Sequence, residues 1–355
     1  MSNVKDEITS LLELSGRIGQ NALLTQASTG NTSVKLGNVL WVKASGTWLA
    51  HARQHNILMP MDLEYARECV RRNVDPAKKH PSASEDHPGP SIETALHVVL
   101  PHRVVIHVHS VNTIAWAVRE DAEACLAQRL AGLRWRWIPY VPSGLPLAME
   151  IERALSGALD ADVFVLGNHG LVVGGPDCAA AEALLWEVER RVATTARRAP
   201  KADCAALERI AHESGWHLAG NVTVHALATD AVSARILAGG LLYPCQAIFS
   251  NCNTPAVFSA VPCPQPGEAS ESRHSGRPFL IVQGCGVVFS QTITPAEAAI
   301  LNGLAQVVRR IPADAPVRYL TEKELADGLS VEAYRYRELA NRQAHSLTHA
   351  MVRAS

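Results

Sequence analysis

No run of about 18 apolar residues occurs in the 355-residue chain, which excludes a membrane-spanning helix. A net charge of one sign is also missing, since 33 Lys and Arg against 34 Asp and Glu leave a formal charge of −1. That balance gives no electrostatic reason to expect nucleic acid or an anionic membrane as partner. Close C-x-x-C pairs are absent as well. The eight cysteines are scattered from Cys69 to Cys285, as expected of reduced, mostly buried thiols in a cytosolic protein. The opening MSNVKDEITSLLELSGRIG lacks the basic end and apolar block of a secretion signal. What the chain does hold is core-forming material, 47% hydrophobic residues, and an unusual 15 histidines.

Ile8, Leu11, Leu12, Leu14 and Ile18 follow helical spacing and predict an amphipathic first helix. β-Formers then surround Gly37-Asn38 and predict a hairpin that turns there. RVVIHVHS (103–110) reads as a buried strand, and DVFVLGNHGLVVGG (162–175) as strand, tight turn, strand. Helices are predicted over 91–100, about 146–159 and 179–196. This alternation indicates an α/β or layered α+β domain that ends near residue 200. Two polar, Pro-rich stretches, 75–90 and 261–278, read as exposed loops.

The chain also resembles itself. VFVLGNHGLVVGG, followed by a helix ending ERRV (163–192), parallels FLIVQGCGVVFSQ, followed by a helix ending VRRI (279–311). Thr294-Pro-Ala-Glu297 opens the second helix as a capping box. The reading is a second, smaller and degenerate α/β unit over 201–355, with Cys285 where His169 stands in the first copy. The counterpart of RVVIHVHS is expected at PCQAIFSNCN (244–253).

His107 and His109 lie two apart in a predicted strand, so both project to one face, where two imidazoles can reach one metal. The same letters also fit an exposed face with two solvated histidines. His169, between glycines in a tight turn, is a third candidate, or simply a turn residue bonding its own backbone. Glu93 falls in the first turn of the helix that Ser91 is expected to cap, where a carboxylate complements the helix dipole. Beside three histidines and a metal it would instead be a fourth ligand or a general base. Arg134-Trp-Arg-Trp137 reads as a strand with one apolar face, and Cys245, Cys252, Cys263 and Cys285 lack the close pair that anchors a zinc site.

Five short motifs occur in register: G-N-x-S at Gly30–Ser33, S-G-T at Ser45–Thr47, P-S-x-E at Pro90–Glu93, H-x-H at His107 and His109, and N-H-G at Asn168–Gly170. Over about residues 10–200 the chain thereby resembles the class II aldolase/adducin family. PSIETALHVVLP is most similar to the aldolase half of long bacterial rhamnulose-phosphate aldolase/alcohol dehydrogenase proteins. The resemblance implies a three-layer α/β/α sandwich over 1–200, with 201–355 as the degenerate repeat or accessory unit. It implies one zinc ion per subunit on His107, His109 and His169, with Glu93 as the catalytic acid/base. Asn31, Ser45, Gly46 and Ser91 fall where the family cradles a substrate phosphate, and a Gly-rich turn and a helix N-terminus suit an anion.

The implied activity is that of a zinc-dependent aldolase, a lyase that cleaves a ketose phosphate through a metal-stabilised enediolate. A sugar-phosphate 4-epimerase, decarboxylase or dehydratase would use the same site, and an adducin-like module would use none of it. A homotetramer acting on a small sugar phosphate, with no nucleic-acid or membrane partner, completes the expectation. Ile92 stands where the family often has a second serine, Ser143-Gly-Leu-Pro-Leu147 replaces G-S-x-E-L, and the tyrosine some members supply from a neighbouring subunit has no counterpart in these motifs.

Overall fold

β-Branched and aromatic residues concentrate in short runs, and the strands form from them. In a computed structural model, residues 3–78, 89–156, 160–250, 255–263, 277–329 and 333–342 are described. Seven strands build one mixed sheet: β1 (Asn31–Leu36), β2 (Val39–Lys43), β3 (Leu58–Asp62), β4 (Val104–Val108), β5 (Trp135–Ile138), β6 (Val163–Leu166) and β7 (Gly170–Gly175). Their order is β3-β2-β1-β4-β7-β6-β5, antiparallel throughout except for the β5–β6 pair. The hairpin turns at Gly37-Asn38 as expected, between β1 and β2.

β4 is the central strand, and all five of its residues are buried. Val104, Ile106 and Val108 pack with Leu11, Leu14 and Ile18 of the helix Val4–Gly19 and with Leu185 and Val188 of the helix Cys178–Val192. Val105 faces the other way, toward Leu96 of the helix Thr94–Val99 and Ile151 of the helix Leu145–Ser156. The result is the expected three-layer α/β/α arrangement. Slipping β4 by one residue would put His107 under the first helix layer and turn three apolar side chains out of it, each worth about 1.5–3 kcal/mol. Hydrophobic burial on one face therefore fixes which way the histidines point.

Beyond residue 200, β8 (Trp216–Leu218), β9 (Phe279–Val282) and β10 (Gly286–Ser290) form an antiparallel sheet in the order β8-β10-β9. The anticipated strand–turn–strand–helix is present, followed by the helix Pro295–Val308 with its Thr294/Glu297 capping box. Even the register repeats. Phe279 pairs with Phe289 and Val282 with Gly286, as Val163 pairs with Val173 and Leu166 with Gly170.

The expected partner strand is corrected, however. Residues 244–249 of PCQAIFSNCN form the helix Pro244–Phe249, and residues 251–253 lie outside the described residues. Gln246 accepts hydrogen bonds from the Leu242 and Tyr243 N–H groups, which, with proline at the first helical position, starts a helix rather than a strand. The strand beside β10 is β8, where Leu218 opposes Val288 as His107 opposes Val172. At the corresponding positions the second region offers Leu218, Gly220 and Cys285 where the first has His107, His109 and His169.

Residues on both sides of position 200 share one core. Val111, Ile114, Ala115 and Val118, which follow β4, are buried among Leu227, Leu241, Leu301, Leu304 and Ile311. Among the described residues no helix is long and apolar enough to cross a membrane. Most of the two Pro-rich stretches, residues 79–88 and 264–276, lies outside the described residues.

Candidate metal centre

Glu93, His107, His109 and His169 converge, each buried and each offering a ligand atom within 4.8 Å of the others. The three imidazole centroids stand 5.0, 4.9 and 5.0 Å apart, a nearly equilateral triangle. His107 comes from the middle of β4 and His109 from just past its end. His169 comes from the β6–β7 turn, where Asn168 holds a left-handed φ of 51°.

Glu93 reaches the histidines because its helix starts later than expected. Ser91 does not cap the helix Thr94–Val99. Glu93 itself occupies the N-cap position and makes no side-chain cap bond. The Ser91 hydroxyl accepts from the Glu93 N–H at 3.3 Å, and the Ser91 N–H is spent on the Lys43 carbonyl at 2.9 Å. The carboxylate is therefore free of the helix end and turns toward the rings. Its Oε2 lies 3.4 Å from His107 Nε2 and its Oε1 3.2 Å from His169 Nε2.

Second-layer contacts fix the orientation of each group. His107 Nδ1 donates to the Leu171 carbonyl at 3.0 Å. A carbonyl can only accept, so Nε2 of the neutral ring carries the lone pair toward Glu93. Behind Glu93 runs a buried chain of polar groups. Asn31 Nδ2 donates to Glu93 Oε2 at 2.8 Å, and Asn31 Oδ1 then accepts from His97 Nε2. The other nitrogen of that ring, Nδ1, accepts from the Ser33 hydroxyl at 2.7 Å. Because a carboxylate only accepts, every proton in this chain is directed toward it.

Burial alone would raise the Glu93 carboxyl, but the neighbouring His107, His169 and His109 outweigh it and hold the group well below the usual carboxylate range. Burial pushes His107 down to about 4 and His109 well below its ordinary value. At neutral pH the His107 and His109 rings are therefore neutral beside an ionised carboxylate, the protonation state that a metal requires of them.

The cavity over these groups is lined by Asn31, Ser91, Glu93, His109 and His169 from the first region, together with Lys43. Pro244, Cys245, Ile248 and Tyr336 close it from the second. Ser45 and Gly46 are not among its lining residues. The Ser45 N–H donates to the Gly89 carbonyl, and Gly46 is covered so closely that a Cβ there would lie 2.4 Å from that of Leu339.

Several of these contributors were not assigned from the sequence. Lys43 is fully buried and donates to the Ser28 and Thr47 carbonyls at 3.0 and 2.7 Å, and burial pushes it down to about 7 against the pull of Glu93. His97 lies four residues after Glu93, a spacing that brings side chains together on a helix, and that was the available signal for it. Cys245 and Tyr336 carry no local signal at all.

Burial pushes His97 down to about 3 from its ordinary 6.5. Between those values the unfolded chain binds a proton that the folded chain refuses. His97 therefore contributes stability that is complete above about pH 6.5 and declines as the pH falls toward 3, at about 1.4 kcal/mol per pH unit. Urea unfolding of the metal-free protein between pH 6.5 and 4 is expected to lose one proton's worth of slope in His97→Gln. An unchanged slope would contradict the assignment.

Residues 10–195 match the family model described as Class II Aldolase and Adducin N-terminal domain. The chain is 30% identical over 183 residues to a Bacillus subtilis (strain 168) protein named uncharacterized oxidoreductase YuxG, a match covering 47% of this chain and 26% of that one. It thus spans about a quarter of that relative's length. Among solved structures, the N-terminal class II aldolase domain of a conserved protein from Thermoplasma acidophilum is 24% identical, with 54% of this chain and 94% of that one covered and a TM-score of 0.44. The L-fuculose-1-phosphate aldolase from Thermus thermophilus is 17% identical, with coverages of 53% and 91% and a TM-score of 0.38. The family match takes in just over half of the chain and contains the whole carboxylate–histidine cluster. On that match, the chain belongs to the class II aldolase/adducin family.

Proposed function

We propose that this protein is a zinc-dependent lyase that cleaves a ketose phosphate by a retro-aldol reaction, with one zinc ion on His107, His109 and His169. The observation that carries the reading is a pair of orphaned atoms. Glu93 Oε1 and His107 Nε2 are buried, point into the cluster and have no hydrogen-bond partner. Leaving such atoms unpaired costs about 1–3 kcal/mol each, and a cation satisfies both. Two donors about 2.1 Å from a tetrahedral zinc stand roughly 3.4 Å apart, close to the 3.2 and 3.4 Å of the Glu93–histidine contacts. Three imidazole nitrogens with a carboxylate beside them suit zinc's borderline softness.

Zinc, when bound, would act as a Lewis acid on the substrate carbonyl and its adjacent hydroxyl. The chain's own residues do the rest. Oε1 of the ionised Glu93 takes up the hydroxyl proton of the carbon that becomes the aldehyde as the carbon–carbon bond breaks, and delivers it to the carbon losing that bond. The synthetic direction reverses both transfers. Asn31 keeps Oε2 engaged, so only Oε1 is available for that transfer. Lys43, when protonated, has one N–H left after its two carbonyls, and that N–H suits the substrate's anionic group. Pro244 and Ile248 keep the wall apolar and exclude water. The products are dihydroxyacetone phosphate and an aldehyde.

The same reading makes the protein a cytosolic homotetramer. None of the seven described cysteines is in a disulfide, which supports a reducing compartment.

Turnover of the zinc-loaded protein against a panel of ketose phosphates and four-carbon acid phosphates tests the reaction. Release of dihydroxyacetone phosphate from a member of the panel is the expected result. Epimerisation, dehydration or loss of carbon dioxide without aldol cleavage would contradict it.

A further inference from the structure

Two of the three histidines are held in place by residues from beyond position 200. Nδ1 of His109 lies 3.4 Å from Sγ of Cys245, on the helix Pro244–Phe249. Cys245 is buried and not oxidised to a disulfide. The turn that carries His169 is gripped more fully. The Asn168 amide donates to the Leu242 carbonyl at 2.8 Å and to the Arg318 carbonyl at 2.9 Å, and its oxygen accepts from Arg318 Nη1 at 2.7 Å.

Both donors and the acceptor of that fully buried side chain are thus committed to the second region. Arg318 is anchored in turn by its own N–H on the Val118 carbonyl, at 2.8 Å, and by Glu324. Asn168 needs such support. Its left-handed backbone, with a φ of 51°, is a sparsely populated conformation that persists where the surroundings determine it.

Resting on the metal reading above, we infer that the second region positions the zinc ligands: Cys245 orients the His109 ring, and the Leu242–Arg318 clasp on Asn168 sets the turn that presents His169. The second region thus braces the ligands that the first supplies. A ring nitrogen that binds metal must be bare, and its partner nitrogen then carries the proton. With Nδ1 donating to Cys245 Sγ, Nε2 is left for the ion. Ligand geometry and docking of the second region are consequently linked, and the linkage runs both ways. Zinc must tighten residues 241–249 and 316–320, and loosening those residues must weaken zinc.

Zinc affinity of the full-length protein, measured by competition with a chromophoric chelator, tests this without any catalytic readout. Cys245→Ala and Asn168→Gly are each expected to weaken zinc by about 10–100-fold, the usual consequence of removing an outer-sphere partner. Glycine at 168 keeps the left-handed turn available, so the loss reports the clasp and not the backbone. Cys245→Ser restores an acceptor and should recover most of the affinity. Thr229→Val removes hydrogen bonds to the Pro200 and His225 carbonyls, outside both segments of the same region, and should change nothing.

Amide hydrogen exchange of the unaltered protein gives a second measurement that needs no variant. Zinc is expected to slow exchange across 241–249 and 316–320. Affinities for Cys245→Ala and Asn168→Gly within about two-fold of the parent, or exchange in those segments indifferent to zinc, would overturn the inference. Failure of the unaltered protein to bind zinc at all would instead overturn the metal reading.

Discussion

Replacing Glu93 by Gln is expected to lower kcat by about 10²–10⁴-fold while zinc remains bound. Glutamine keeps the size of the side chain and a carbonyl oxygen that can still accept from Asn31 Nδ2, which lies 2.8 Å from Oε2. What disappears is the second oxygen, Oε1, buried and unpartnered against His169, and with it the capacity to hold a proton. Three imidazoles remain to carry the ion, so content and catalysis should separate. Unchanged turnover on a confirmed substrate would remove Glu93 from the mechanism. Zinc lost together with activity would make it a structural ligand.

Gly30→Ala is expected to damage both folding and the site, although residue 30 touches no candidate ligand through a side chain. Gly30 has a φ of +73°, and a Cβ there would lie 2.7 Å from the His107 carbonyl oxygen and 3.2 Å from Cγ2 of Thr25. The left-handed backbone alone costs an alanine about 1–2 kcal/mol. The carbonyl belongs to the central strand and cannot retreat, so β1 must move instead. Asn31 is the next residue, and moving it draws its amide away from Glu93.

Gly37→Ala is the control. It has a similar φ, +59°, and open space around the added carbon, so it should show the backbone cost alone. Urea midpoints and kcat for the two variants measure the difference. Equal effects would mean that the β1–β4 contact at Gly30 does not position Asn31.

Much of this site was legible in the sequence because its physics is local. His107 and His109 are two apart in a strand whose remaining residues are Val104, Val105, Ile106 and Val108, so pleating and burial together fix their shared face. The Gly167–Gly170 turn, the Gly37-Asn38 hairpin and the Thr294 capping box likewise depend on neighbouring residues only.

Reading became less secure where one residue has two uses. Ser91 is a good helix cap by type, but its N–H goes to Lys43, and the helix starts beyond Glu93. Residues 244–249 carry the apolar and aromatic letters of a short strand, a length at which periodicity cannot separate strand from helix. The Gln246 bonds decide for helix. Gly46 carries the family's motif, yet it lies beneath Leu339, nearly 300 residues away in sequence. Cys245, Arg318 and Tyr336 reach the metal centre only through long-range packing, which no local pattern announces.

Elemental analysis of protein purified without added metal, beside His109→Ala prepared identically, tests the central claim most directly. The account predicts about one equivalent of zinc per chain in the parent and a large loss in the variant, since three nitrogens define the site. A parent without bound metal, or a His109→Ala protein with the same zinc content, would contradict it.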